Sequence, residues 1–361
     1  MSESYPKLRV AAVQAAPAFL DREATVRKAC DLILEAGAGG ARFIVFPECF
    51  IPGYPHWFEF YAAGDPICQR CNGELFANSV EVPSPATERL GTAAREAGAY
   101  VVMGINERRP EILGTMYNVQ LFFGPDGRLI RRRRKLMPTL SERLVHGMGD
   151  GRDLTALEGE FGPMGGLICG ENGNPLFKYV VAAQGVRLHG GAWPAKMSAS
   201  YARGVPGMVL RAQACAMEGN HFGVHAAGIF TNEMADLLEL RPEARRGLLP
   251  GGGSVVVGPS GEVIAGPAGG EETILYADVD LGEIVAAKLR QDFTGHYNRF
   301  DVIRVTLDTT PNLPLRVVAA PEGGAGEAAV PGAPDLPSGA EVWPPEPARV
   351  PASARFEAGR Y

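Results

Sequence analysis

The chain has 361 residues, 46% hydrophobic and 21% charged, the profile of a globular protein with length for one large domain or two ordinary ones. A formal charge of −6 argues against nucleic acid as the main partner, and six cysteines are too sparse for a disulfide framework. The opening "MSESYPKLRV" has no secretory h-region, and no run approaches the roughly 20 apolar residues of a membrane span, so a cytoplasmic protein without a membrane partner is expected.

"LRVAAVQAAP" (8–17) reads as a buried strand, and 22–40 as a helix with Val26, Cys30, Ile33 and Leu34 on one face. "ARFIVFPE" (41–48) is a strand again. Cys68 and Cys71 form a CxxC with no second pair and no spaced histidines, which reads as a loop with two thiols and not as a zinc site. A helix over 84–99 has Ser84 as its expected N-cap. The strands "YVVMGINE" and "MYNVQLFFGPDG" follow, the second closing in an Asp-Gly turn. "RRRRK" (131–135) is a basic run of the kind that ordinarily forms a solvated face, and no aromatic interleaving marks it for nucleic acid. Past residue 169 the pattern predicts a helix (about 174–184), a strand (186–193), a long helix (203–220) and three closing strands, "FGVHAAGIF", "GSVVVGPSGEVIAG" and "TILYADVDL". Strands alternating with helices, followed by hairpins, predict an α/β layered domain over 1–310. The segment 311–361 is rich in Pro, Gly and Ala without periodicity and reads as a tail, with Trp343 and Phe356 to Tyr361 as its apolar islands.

Three places share one design, an apolar strand running into a reactive side chain amid turn residues. They are Glu48 in "FIVFPECFIPGYP", Lys135 with Glu142 in "RRRRKLMPTLSERLVHGMGDG", and Cys169 in "GGLICGENGNPL". Strand ends in α/β proteins open onto the crevice that binds ligands, so such residues can converge there. Each alone has an ordinary reading: a core thiol, a solvated strand end, a surface lysine, a helix-surface partner for Arg143. Tyr54 either packs or turns its hydroxyl toward Glu48 or a substrate. The remaining histidines are scattered without ligand spacing, and His296 reads as structural.

"FPECFIPGYP", "RKLMPTLSER" with "GDG", and "CGEN..PL" occur in this order and spacing in the nitrilase superfamily of carbon–nitrogen hydrolases, which the chain resembles from about residue 8 to 303. "VQAAP", "GINER", "YNVQLF", "GGGSVVVGPSG" and "GHYNRFDV" support the likeness, and "FIPGYP" with "GHYNR" points to the nitrilase branch. The resemblance implies a four-layer αββα sandwich that dimerises and extends into spirals or filaments. It implies a catalytic triad of Glu48, Lys135 and Cys169 with Glu142 as a second glutamate. Substrate contacts are expected at Tyr54, Thr139, Gly170 and Trp193, with no cofactor and no metal.

The expected chemistry is hydrolysis of an organic nitrile to acid and ammonia. A thiolate suits the modest electrophilicity of a nitrile carbon, Glu48 would take the thiol proton, and Lys135 would face the charge growing on nitrogen. An amidase or a nitrile or cyanide hydratase would use the same residues, and a filament-forming relative would need none of them. The sequence departs from the family pattern at Gly170, where many nitrilases carry an aromatic, and at Asn172 and Phe300, where His and Pro are frequent. A glycine after the nucleophile removes a pocket wall and predicts acceptance of bulkier nitriles.

Overall fold

The computed structural model describes residues 5–195, 204–248, 251–313 and 315. The strands are β1 (Lys7–Gln14), β2 (Ala41–Val45), β3 (Tyr100–Arg109), β4 (Ile112–Phe123), β5 (Leu129–Arg134), β6 (Met164–Ile168), β7 (Leu188–Trp193), β8 (Phe222–Ala227), β9 (Val255–Val257), β10 (Val263–Ala265) and β11 (Thr273–Asp280). They form a six-stranded sheet ordered β11-β1-β2-β3-β4-β5 and a five-stranded sheet ordered β10-β9-β8-β7-β6. The helices are α1 (Arg22–Ala38), α2 (Pro66–Asn78), α3 (Pro85–Ala97), α4 (Pro175–Ala182), α5 (Gly204–Gly219), α6 (Asn232–Leu237), α7 (Pro242–Leu248) and α8 (Gly282–Arg290).

The near-continuous apolar strands follow from burial on both faces. Along β1, Val10 and Ala12 face the second sheet with Phe43, Val45, Val102, Leu188 and Val224, while Ala11 and Val13 face α1 and α3. Val26, Ala29 and Ile33 of α1 and Leu90 and Ala94 of α3 cover that outer face. On the far side Ala212 and Ala216 of α5 lie on Val255 and Val257, and Val181 of α4 on Leu167. Helices, sheet, sheet and helices make the αββα sandwich expected from the sequence.

One local expectation is corrected. The segment with Cys68 and Cys71 is not a loop but α2, started by Asp65, whose carboxylate accepts the Ile67 N–H at 2.8 Å; both thiols are fully buried on one helical face. Ser84 stands at the N-cap of α3 as expected, and Thr87 Oγ1 accepts its backbone N–H at 2.9 Å. By its contacts the chain to Asn312 is one compact unit and 313–361 a second. The apolar islands at Trp343 and Phe356 to Tyr361 lie outside the described residues. No helix among the described residues is long and apolar enough to cross a membrane.

Candidate active site

Glu48 lies three residues beyond the end of β2, where Gly104 of β3 lets the chain turn close: a Cβ at that glycine would overlap the Pro47 carbonyl. Lys135 directly follows β5, and its backbone N–H still bonds to Asn118 O at 2.8 Å. Glu142 sits in a one-turn 3-10 helix, Leu140–Leu144. Cys169 directly follows β6 and opens the turn Cys169–Gly173 with φ +50°, a left-handed conformation that costs a non-glycine residue about 1–3 kcal/mol and recurs where a nucleophile is displayed. The four residues, 121 positions apart at the extremes, converge: Lys135 Nζ donates to Glu48 Oε1 at 2.8 Å and to Glu142 Oε2 at 2.6 Å, all three side chains being at most 1% exposed. Cys169, 5% exposed, lies within the electrostatic reach of Glu48, Lys135 and Glu142, and the Gly170 N–H points to its sulfur.

The two carboxylates have opposite fates. Burial, partly offset by Lys135 and reinforced by Glu142, pushes Glu48 up to about 7. Burial also opposes ionisation of Glu142, but Lys135 and His146 outweigh it and hold the group well below the usual carboxylate range. Lys135 loses charge stabilisation to burial and regains more from Glu142 and Glu48, so it remains an ammonium. Burial and the nearby Glu48 push the Cys169 thiol well above its usual value, so it rests protonated. Pairs of groups pushed apart in this way mark acid–base sites. Glu48 Oε1 is tethered twice, by Lys135 and by Asn118 Nδ2 at 2.7 Å, whereas Oε2 is buried with no partner among the described residues. That oxygen is free to accept a proton.

The family model for carbon–nitrogen hydrolases matches residues 9–289. The chain belongs to this family. Over 316 residues it is 36% identical to a nitrilase of Bacillus sp. (strain OxB-1), covering 87% of this chain and 91% of that one. It is 38% identical over 313 residues to an aliphatic nitrilase of Sinorhizobium fredii (strain HH103), covering 84% and 97%. The crystal structure of Saccharomyces cerevisiae Nit3, of branch 10 of the nitrilase superfamily, superposes with a TM-score of 0.60 at 22% identity, over 80% of this chain and 97% of that one.

The other expected contacts of this carbon–nitrogen hydrolase also gather here. Trp193 packs with Cys169 and Met208, its indole N–H donating to His225 Nδ1 at 3.1 Å. Among the described residues a Cβ on Gly170 would meet only Thr139 Oγ1, at 3.3 Å, so these two residues share one wall. Tyr54 is buried and feels the charges of Glu142, Glu48 and Cys169, but the tethers on Glu48 are Lys135 and Asn118, not the phenol. A cleft beside Glu48 is lined by Tyr54, His56, Ala195, Ile229 and Met234.

Asn118 was not singled out from the sequence, although it lies in the quoted "YNVQLF". Its amide donates to Glu48 Oε1 and Glu142 Oε1, both at 2.7 Å. Glu171, in "CGEN", ties the nucleophile's turn to the lysine's strand: it accepts from Arg133 at 2.6 Å, from Leu136 N at 2.8 Å and from Ile168 N at 2.8 Å. Asn172, which stands where His is frequent, donates to Leu167 O and Cys169 O and accepts from His189 Nε2 at 2.8 Å. No sequence signal distinguishes these from surface polar residues before the strands are paired.

The basic run is not a solvated face. Arg132 and Arg134 both bind Glu107, at 2.7 Å each, Arg133 is 3% exposed against Glu171, and Arg131 donates to Thr155. Strand alternation sends the four arginines to two faces, where Arg133 is buried and the other three are half-buried. The histidines are not all scattered either. His189, His221 and Cys215 cluster in the interior with sulfur–nitrogen separations of 3.9 and 3.8 Å, and His225 adjoins them. Burial holds His225 down to about 3 and His221 to about 4, so these rings are neutral. The cluster has metal-ligand residue types, but His189 Nδ1 and His221 Nδ1 lack the partners that orient ligating imidazoles. His296 is exposed in the turn after α8.

Proposed function

We propose that this chain is a nitrilase, hydrolysing an organic nitrile to the carboxylic acid and ammonia, with Cys169 as nucleophile. The observation that carries the reading is the free Oε2 of Glu48, on a carboxylate poised near neutrality beside a protonated thiol and a permanent ammonium. The nitrilase relatives, 36% and 38% identical over most of the chain, favour nitriles over amides as substrates.

In this mechanism Glu48 takes the Cys169 proton as sulfur adds to the nitrile carbon, and the proton passes to nitrogen to give a thioimidate. Lys135 faces the charge growing on that nitrogen. Water, deprotonated by Glu48, adds to the thioimidate, and the tetrahedral adduct expels ammonia, leaving a thioester. A second water releases the acid and restores the thiol. Two waters are consumed and no redox step occurs. Glu142 anchors Lys135, and Tyr54, Thr139, Gly170 and Trp193 border the substrate.

Ammonia release from a nitrile and from its amide, measured for the parent protein and Cys169→Ala, tests this. Turnover of the nitrile by the parent alone, with a covalent adduct on Cys169 in the intact mass, is expected. Nitrile turnover undiminished in Cys169→Ala would overturn it. Turnover of the amide alone would mark an amidase, and inactivity toward both a non-catalytic relative.

Six free cysteines favour a reducing compartment such as the cytoplasm. Exposed Leu176 on α4 and Leu210 on α5, 63% and 64% accessible, favour self-association as a dimer, with extension to filaments. In this reading 1–310 is the catalytic domain and 311–361 a tail that serves assembly.

A further inference from the structure

The orientation of two side-chain amides counts the protons on His146. Asn106 Nδ2 donates to Ile51 O at 3.2 Å and Gly53 O at 2.9 Å, and a flipped amide would set its oxygen against both carbonyls. Its Oδ1 therefore faces His146 Nε2, 2.8 Å away, and that nitrogen carries a proton. Asn118 Nδ2 likewise points to the carboxylates, so Glu142 Oε1 is already an acceptor. His146 Nδ1 stands 3.2 Å from this same oxygen. With a bare Nδ1 the contact sets lone pair against lone pair, and a second proton makes it attractive. A proton on Glu142 instead is disfavoured, because its Oε2 receives the Lys135 ammonium at 2.6 Å and the Thr139 N–H at 2.9 Å, donors that favour the carboxylate.

We propose that His146 is a positioning residue held doubly protonated, the second cation of a closed group of four charges, and that through Glu142 it sets how readily Glu48 ionises. Lys135 and His146 balance Glu48 and Glu142, so the group is neutral in a place where the side chains of His146 and Glu142 are fully buried. With a neutral imidazole the same group holds one uncompensated negative charge, which burial relieves by loading Glu48 with a proton. Among the described residues, the other titratable groups that feel Glu142 are Lys135, Glu48, Tyr54 and the thiols of Cys49 and Cys169, and burial keeps both thiols protonated. β3 and β4 add only the amides of Asn106 and Asn118. Asn106 also clamps the loop that carries Tyr54, so the same imidazole ties the pocket loop to the charge group.

Two measurements test this, and only the second rests on Glu48 being the base of the nitrilase reaction. In the full chain with ¹⁵N-labelled histidine, the ring resonances missing from either His146→Phe or His146→Gln should show both nitrogens protonated at pH 7. A ring protonated at one nitrogen overturns the proposal, whether or not the protein turns over nitriles. In pH profiles of kcat/KM, His146→Gln should move the acid limb up by about one unit, because removing a cation raises the pKa of the carboxylates, and His146→Lys should move it back. An active His146→Gln protein with an unmoved limb overturns the proposal, since a purely structural histidine lowers kcat without moving the limb.

Discussion

Glu48 and Glu142 are identical side chains sharing one lysine, and their neighbours give them different work. Glu142 has a donor on every side and stays ionised; Glu48 keeps one buried oxygen bare and titrates near 7. The sign of the pH effect follows. The base is the ionised form, so kcat/KM should rise with pH through about 7 and fall roughly tenfold per unit below it, and an acid limb flat from pH 5 to 7 would remove Glu48 from that role. At Gly170 the only neighbour of an added Cβ among the described residues is Thr139 Oγ1. An indole there should fill the space over the thiol. Gly170→Trp is expected to lower kcat/KM for aryl nitriles against small aliphatic ones by about tenfold, and an equal loss on both would show that this wall does not select.

At the scale of elements, the site is a set of strand exits locked to each other. Glu171 joins the turn after β6 to β5 and to Leu136, next to Lys135, so thiol and ammonium share one brace. Glu171→Ala leaves the Arg133 guanidinium buried without its partner. The expected cost is about 3–5 kcal/mol, measured by urea unfolding, with kcat falling in the folded fraction. A loss under 1 kcal/mol would mean that Arg133 finds water. The arginines of β5 were misread as solvated because a run of like charge carries no sign of what it will face. The acids, Glu107 on β3 and Glu171 in the turn after β6, are remote in sequence. The strands and helices legible from periodicity were those with apolar faces, such as β1, α3 and β8. α2 was hidden because its apolar positions include two cysteines, which drew attention to their chemistry and away from their spacing.

For the whole molecule, the sandwich brings the ends of β2, β5 and β6 to one opening, although β6 lies in the other sheet from β2 and β5. Exposed Leu176, Leu210 and Leu289 leave apolar surface on the outer helices α4, α5 and α8. Truncation after Pro314 followed by size-exclusion chromatography with light scattering is expected to give smaller assemblies with nitrile turnover retained. Unchanged assemblies would show that the tail has no part in association.

The motifs alone determined the family and the layered fold and put forward Glu48, Lys135, Glu142 and Cys169 as candidates, because the proposed nucleophile, base and cation stand at strand exits whose flanking residues follow one another in chain order. Only the tertiary structure decided which groups carry protons. Proton affinity depends on burial and on polar partners a few ångströms away, and those partners, Asn118, Asn106 and His146, come from strands and turns whose juxtaposition no local pattern records.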